Sequence, residues 1–196
     1  MKILIVSDVA DKKYWDYYTE GCLSDFDLIL SCGDLPPQYL TFLVTMARCP
    51  LVYVMGNHDD CYSTHPPEGC ICADGQLIKI AGLRILGLGG SNRYKLGHNQ
   101  YTQPEMKKKI KKLRGKIKRN KGFDILLTHS PARGLNDSED IPHQGFEAFN
   151  ELIAETQPKY FIHGHVHMNY SYKMPRVCES GSTTVINGYQ SYVLEI

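Results

Sequence analysis

The chain has 196 residues, 42% of them hydrophobic and 22% charged, and a formal net charge of +1. This composition is typical of a globular protein, and the length predicts a single domain over residues 1–196. No apolar run reaches the roughly 20 residues that span a bilayer, and the seven cysteines form no paired CxxC spacing. A membrane span is therefore not expected, and neither a zinc knuckle nor a disulfide framework is indicated. The apolar stretch after Met1 is too short for a signal peptide, so we expect a cytoplasmic protein.

The first third of the chain alternates strands with helices. Strands are predicted over 2–6, 27–30 and 51–55, and helices over 11–24 and 36–47. Strands joined in this way run parallel through right-handed crossovers, so we expect a largely parallel sheet. The aromatic residues of the first helix favour packing against the sheet, with a stacking wall for a nucleobase as the alternative.

The remainder predicts a second group of strands with its own helices. Its elements in chain order are a loop over 60–75, antiparallel strands over 76–80 and 83–88, a polar loop to 103, a helix over 104–120, a strand over 123–127, a loop over 132–145, a helix over 146–156, a strand over 160–162, and short β segments at about 169–173, 183–187 and 191–195.

The helix within 104–121 carries ten lysines and arginines and no acid after Glu105. One interpretation is contact with a nucleic-acid backbone. The favoured interpretation is an amphipathic helix whose apolar side chains face the core while its lysines lie in solvent. The apolar positions are Met106, Ile110, Leu113 and Ile117.

Five predicted core strands end in side chains that bind metal ions. These residues are Asp8, Asp34, Asn57, His129, and the pair His165 and His167. Ligands bind at the carboxyl ends of strands in α/β sheets, and caps without a ligand role would be less rich in histidine. Mixed carboxylate, amide and imidazole ligands suit Mn²⁺, Fe²⁺ or Zn²⁺, and one carboxylate can bridge two ions ~3.5–4 Å apart. The pattern predicts a centre for divalent metals.

The same motifs, in the same order, resemble those of the calcineurin-like metallophosphoesterases. They are Asp8, Gly33-Asp34, Gly56-Asn57-His58-Asp59, His129 and Gly164-His165-Val166-His167. The resemblance covers essentially the whole chain. It implies an α/β fold, a four-layer αββα sandwich of two mixed sheets flanked by helices.

The resemblance also implies a role for each matching residue. Asp34 would bridge two divalent ions, with Asn57, His129 and His165 completing one site, and Asp8 and His167 holding the other. His58 would be the general acid, oriented by Asp59. Mn²⁺ is the expected metal, with Fe, Zn or Ni as alternatives.

The sequence departs from the family at its first motif, Asp-x-His, which here reads Asp8-Val9-Ala10. Alanine has no ligand atom, so the first metal site loses a ligand and should be weakened. Three protein ligands remain there, which is the minimum for an open catalytic site.

The function that follows is metal-dependent hydrolysis of phosphodiesters, with phosphomonoesters as a further class, by attack of a metal-bridging hydroxide. Arg93 and Asn57 are the candidate substrate-binding residues, and for Arg93 a plain surface position is the alternative. The alternative functions are a metal-poor scaffold or binding module that keeps the fold, and a nuclease that uses the basic helix. The expected partner is a small phosphorylated substrate, with a nucleotide as one candidate. Binding of nucleic acid is left open, and no binding to a membrane is expected. The expected assembly is a monomer or a homodimer.

Overall fold

The computed structural model describes residues 1–169 and 175–196 as two large β-sheets with helices on their outer faces. The strands described are β1 Lys2–Ser7, β2 Leu28–Ser31, β3 Leu51–Tyr53, β4 Ile71–Cys72, β5 Gln76–Ile80, β6 Leu83–Leu88, β7 Ser91–Asn92, β8 Gln100–Tyr101, β9 Ile125–Thr128, β10 Tyr160–His163, β11 Val177–Ser180, β12 Thr183–Asn187 and β13 Gln190–Glu195. The α-helices described are α1 Pro37–Ala47, α2 Gln103–Arg119 and α3 Glu147–Thr156. Short 3-10 turns cover Lys12–Tyr14, Asp60–Ser63 and Ile141–His143.

Each large sheet has a parallel centre. The first has the order β13-β1-β2-β3-β4, in which β1 to β4 are parallel and β13 is antiparallel. The second has the order β11-β12-β10-β9-β6-β5, with β12, β10, β9 and β6 parallel and both edge strands antiparallel. The carboxyl ends of the parallel strands therefore meet at one edge of each sheet.

Alternating apolar side chains hold four layers together. Ile3 and Ile5 of β1 point into a core shared with Ile125 and Leu127 of the second sheet. Leu4, between them, packs on the opposite face in the core beneath α1. A third core joins the outer face of the second sheet to α2 and α3. This arrangement confirms the predicted αββα sandwich, and no described helix is long and apolar enough to cross a bilayer.

Helix α2 is amphipathic, as the favoured interpretation predicts. Its four apolar residues are buried in the core beneath the second sheet. Thr102 accepts from the backbone N–H of Glu105, and the Glu105 carboxylate accepts from the Thr102 N–H, which forms a capping box at the helix start. Most of the lysines lie on the exposed face.

The helix predicted over 11–24 is wrong. Only Lys12–Tyr14 form a 3-10 turn, after which the chain continues in turns. The Trp15 and Tyr18 rings pack edge-to-face on Phe42 of α1 at 5.0 and 5.2 Å between centroids. Aromatic residues are only moderate helix formers, so these tertiary contacts decide the local conformation.

Three further elements differ from the sequence expectations. The predicted loop over 60–75 contains β4, which extends the first sheet, and the polar loop before α2 contains the β7-β8 pair. Strand β11 was not predicted. These strands are two to four residues long, which is too short for an alternating pattern to show. The β segment predicted at about 169–173 lies mainly outside the described residues.

Candidate metal centre

The ends of β1, β2 and β3 meet the ends of β9 and β10 across the interface between the two sheets. The ring of His129, which follows β9, bonds through Nδ1 to the carbonyl oxygen of Cys32 at 2.8 Å. The backbone N–H of Gly164, which follows β10, donates to the carbonyl oxygen of His129 at 2.9 Å. Residues that are far apart in the chain are thus fixed against one another by direct hydrogen bonds.

The predicted ligands form a tight group around the His129 ring. His129 Nε2 lies 2.9 Å from Asn57 Oδ1 and 3.4 Å from Asp34 Oδ2. One ligand atom each from Asp34, His129 and His165 lie within 4.8 Å of one another. The side chain of His129 is fully buried, so this group is fixed by its surroundings.

Asp8 and His167 lie beside this group. Both carboxylate oxygens of Asp8 accept from the backbone N–H of His165, at 3.0 and 3.1 Å. Asp8 Oδ1 is 4.0 Å from His167 Nε2. All six predicted ligands therefore belong to one constellation.

Three of these candidate ligands have strained backbones. Asp8, Asp34 and His165 have φ angles of 65°, 57° and 67°, in the left-handed region that L-residues avoid. Such conformations cost of order 1–3 kcal/mol each and concentrate at functional sites. Here they turn each chain sharply after its strand and direct the side chain inward.

A cavity of about 480 Å³ opens over the constellation. Its lining residues are Asp8, Asp34, Asn57, His58, Tyr94, Pro142, His143, His165 and His167. The cavity gives a small molecule access to the grouped carboxylates and imidazoles.

Comparison with known proteins agrees with this geometry. A family model described as calcineurin-like phosphoesterase matches residues 1–169. The chain belongs to the calcineurin-like phosphoesterase family. Among solved structures, TT1561 of Thermus thermophilus is similar to this chain, with a TM-score of 0.63 and 17% sequence identity. The match covers 96% of this chain and 88% of that chain, and it shows that the two proteins share a fold. No curated protein matches the chain.

Members of the calcineurin-like phosphoesterase family are metal-dependent hydrolases that usually bind two divalent ions. The described residues fit such an ion. Two ligand atoms that each lie ~2.0–2.2 Å from a shared ion are ~3.0–3.5 Å apart, and the spacings around His129 Nε2 are 2.9 and 3.4 Å. The donor set of carboxylate, amide and imidazole also fits a borderline divalent metal.

The charges at this centre compensate one another. Burial lowers the pKa of His129 and raises that of Asp34, but their mutual attraction and hydrogen bond outweigh burial, so the pKa of His129 rises to about 9 and that of Asp34 falls to about 2. Burial, assisted by the charge of His129, lowers the pKa of His165 to about 3. At neutral pH Asp34 is thus ionised and His165 neutral, the forms in which each binds a cation, whereas His129 holds a proton that it would release on binding one.

Asp59 has a different position from the one predicted. Its Oδ2 accepts from the backbone N–H groups of Asp34 and Gly56 at 2.8 and 2.7 Å, and burial raises its pKa to about 6. Among the described contacts, none joins Asp59 to the ring of His58. Asp59 therefore positions the two turns that carry Asp34 and Asn57, and its role in orienting His58 stays a prediction.

Arg93 does not reach the cavity. Its guanidinium donates to the carbonyl oxygen of Gln100 at 3.1 Å and forms an ion pair with Glu105 at 2.9 Å. The predicted role as a phosphate clamp is therefore not supported by its position. An arginine that has a nearby carboxylate pairs with it, and Glu105 was too distant in sequence to be recognised as that partner.

Sequence reasoning missed three residues of the cavity wall. Tyr94 receives a hydrogen bond on its hydroxyl oxygen from Asn57 Nδ2 at 3.3 Å. The carbonyl oxygen of Pro142 lies 2.7 Å from His165 Nε2, and the ring of His143 lies 4.9 Å from that of His165. All three lie outside the strands and α-helices and belong to no repeating motif, so only the folded chain shows them.

Gly56 is required by close packing. A Cβ atom at this position would lie 2.1 Å from Asp34 Oδ1 and 2.6 Å from the Asp34 backbone nitrogen. The φ angle of Gly56 is not in the left-handed region, whereas that of neighbouring Gly33 is 95°. The absence of a side chain at Gly56 therefore lets the turn after β3 pack against the carboxylate of Asp34.

We expect Gly56→Ala to displace Asp34, because the added methyl group overlaps its carboxylate. The variant should lose at least about tenfold in metal affinity and about 1–3 kcal/mol of unfolding free energy. Metal analysis after gel filtration and a denaturant titration measure the two effects. Gly115→Ala is the control, since a Cβ there meets nothing within 4 Å and alanine favours its helix. Equal metal content in Gly56→Ala and wild type would contradict this reason for the glycine.

Proposed function

We propose that this protein hydrolyses phosphodiesters in a reaction that depends on divalent metal ions. The observation that carries the proposal is the convergence of Asp34, His129 and His165, two of which, Asp34 and His165, line an open cavity. Family membership supports the general activity, and the residues of the cavity wall support the choice of substrate.

Asp34, Asn57, His129 and His165 would hold one ion, and Asp8, Asp34 and His167 the other, with Mn²⁺ as the proposed metal. Bound ions would supply positive charge to the phosphoryl oxygens and make a water molecule acidic enough to act as a nucleophile. The protein holds the ligands rigidly. Asp59 fixes the Asp34 turn, and Cys32 fixes the ring of His129.

His58 is the proposed proton donor to the leaving oxygen. It lines the cavity and is exposed, and its backbone N–H donates to Asp34 Oδ1 at 2.7 Å. That bond fixes the residue next to the metal ligands through its main chain and leaves the imidazole free to face the substrate. Imidazole is the side chain that exchanges protons near neutral pH.

The charge of the cavity wall favours diesters over monoesters. Within the part of the chain that the structure describes, the cavity is lined by no lysine or arginine. A phosphomonoester carries a charge of about −1.5 to −2 at pH 7, whereas a diester carries only one negative charge. Because one site also has alanine in place of the family's histidine, the cavity is better matched to the less charged substrate.

We expect the purified protein to hydrolyse bis(p-nitrophenyl) phosphate at least about tenfold more efficiently than p-nitrophenyl phosphate when Mn²⁺ is present. A chelator should abolish both reactions, and Mn²⁺ should restore them. Comparison of kcat/KM for the two esters, with metal analysis of the same sample, tests the proposal. A preference for the monoester would refute the choice of substrate, and activity that survives chelation would refute the requirement for metal.

Ala10→His should restore the missing ligand of the first site. We expect about tenfold tighter binding of the ion at this site and a higher rate at limiting Mn²⁺, because imidazole adds a strong ligand beside Asp8. Val9→His places the same group one residue earlier and is the control. Unchanged stoichiometry and rate in Ala10→His would show that the missing ligand does not limit the metal centre.

A further inference from the structure

A second cavity, of about 440 Å³, lies between the chain around β7-β8 and helix α2. It is lined by Arg93, Gly97, His98, Gln100, Tyr101, Glu105, Lys108, Lys109 and Lys112. None of these residues lines the metal cavity. Tyr94, the neighbour of Arg93, belongs to the metal cavity, so the same loop borders both.

The second cavity is strongly positive. Four lysines and arginines line it against one carboxylate, that of Glu105. Glu105 is already paired with Arg93 and bonded to Thr102, and Lys109 is paired with Asp74 at 2.8 Å.

The other two basic residues of the cavity wall are Lys108 and Lys112. Among the described residues, neither ammonium group forms a hydrogen bond or an ion pair. Like charges four residues apart on a helix repel each other, so an anion placed between these two lysines would relieve the repulsion.

A buried amide supplies an independent observation. Gln100 is 1% exposed, and its Oε1 accepts from the backbone N–H groups of Tyr94 and Lys95 at 3.3 and 3.2 Å. Because these two bonds identify the oxygen of the amide, the other terminal atom is the nitrogen Nε2, which lies next to Gly97.

Gln100 Nε2 is buried, and among the described residues it has no acceptor. An unpaired buried donor costs about 1–3 kcal/mol and calls for an acceptor. Because Gln100 and Gly97 both line the second cavity, an oxygen atom of a bound anion is the acceptor that fits.

We infer that this cavity binds the phosphoryl group of a small anionic molecule. Lys108 and Lys112 would contact its oxygens from α2, and Gln100 Nε2 would donate to it from β8. This binding site is separate from the metal centre and does not depend on the proposed hydrolysis.

The test is a titration of the full-length, ¹⁵N-labelled protein with inorganic phosphate in the presence of Mg²⁺, followed by NMR. The side-chain NH₂ signals of Gln100 report on the second cavity, and those of Asn57 report on the metal centre. We expect the Gln100 signals to shift with saturation, and the Kd to rise at least about tenfold in Lys108→Gln/Lys112→Gln. The control Lys111→Gln/Lys116→Gln removes the same charge from the same helix outside the cavity, and its Kd should stay within about twofold of wild type.

His167→Ala separates the two sites, since it should weaken binding at the metal centre, read from the Asn57 signals, and leave the phosphate-induced shift of Gln100 unchanged. If the Gln100 signals do not move, or if both lysine pairs weaken phosphate binding equally, the inference is wrong. A duplex DNA titration under the same conditions gives a further outcome. If both pairs weaken DNA binding equally while phosphate leaves Gln100 unshifted, the helix is a general polyanion surface and the cavity is not a site.

Discussion

Asp34→Asn is expected to lower kcat/KM for bis(p-nitrophenyl) phosphate about 10³-fold and to remove most of the bound metal. Asp34 lies 3.4 Å from His129 Nε2 and belongs to the group that converges within 4.8 Å. Asparagine keeps the shape of the side chain and the acceptor for the His58 N–H, but it removes the negative charge that two ions would share. A factor of 10³ corresponds to about 4 kcal/mol of transition-state stabilisation, a large effect for one charge in a metal centre.

Asp124→Asn is the matched control for this substitution. Asp124 pairs with Arg84 at 2.6 Å near the start of β9, the end of the strand opposite to His129. Its loss should lower the unfolding free energy by about 1 kcal/mol and leave kcat/KM unchanged. If Asp34→Asn keeps its metal and its rate, the role of Asp34 as a bridging ligand is wrong, whatever the activity of the protein.

His58→Gln should lower the rate about 10²–10³-fold for diesters with a poor leaving group and much less for those with 4-nitrophenol. A proton is needed where the departing oxygen is strongly basic, and 4-nitrophenolate leaves without one. The backbone bond from residue 58 to Asp34 persists in any variant, so metal content should not change. The measurement is kcat across aryl methyl phosphates that range from 4-nitrophenol to phenol as the leaving group.

The outcome of this series distinguishes a proton donor from a structural residue. A proton donor makes the dependence of rate on leaving group steeper when it is removed, whereas a structural role lowers all rates together. His65→Gln is the control, because His65 is exposed and does not line the metal cavity. An equal loss for every leaving group would contradict the assignment of His58 as the general acid.

Parts of the fold that depend on repeating patterns could be predicted from sequence. The apolar runs of β1 and β9 predicted these two strands, because a strand that is buried on both faces carries apolar residues without alternation. The spacing of Met106, Ile110, Leu113 and Ile117 gave α2 and its buried face. The six candidate ligands were predicted because each follows a buried strand, and the structure brings these side chains together at one edge of the paired sheets.

The errors fall where no pattern is repeated. The chain over 11–24 contains residues that a helix tolerates, and packing of Trp15 on Phe42 decided its path. For Arg93 the sequence left a phosphate clamp and a surface position open, and its pairing with Glu105, twelve residues further on, favours the surface position. Asp59 adjoins His58 in sequence, yet its carboxylate bonds to two backbone N–H groups of other turns.

By itself, the sequence determined the class of fold and the family, and it predicted the set of candidate metal ligands. These depend on periodic burial and on residue type at strand ends, both of which are local. Only the tertiary structure decided which ligand atoms share a position, why Gly56 must lack a side chain, and that Tyr94, Pro142 and His143 complete the cavity. These features arise from contacts between loops far apart in the chain, and the energy of such contacts exists only once the two sheets have packed together.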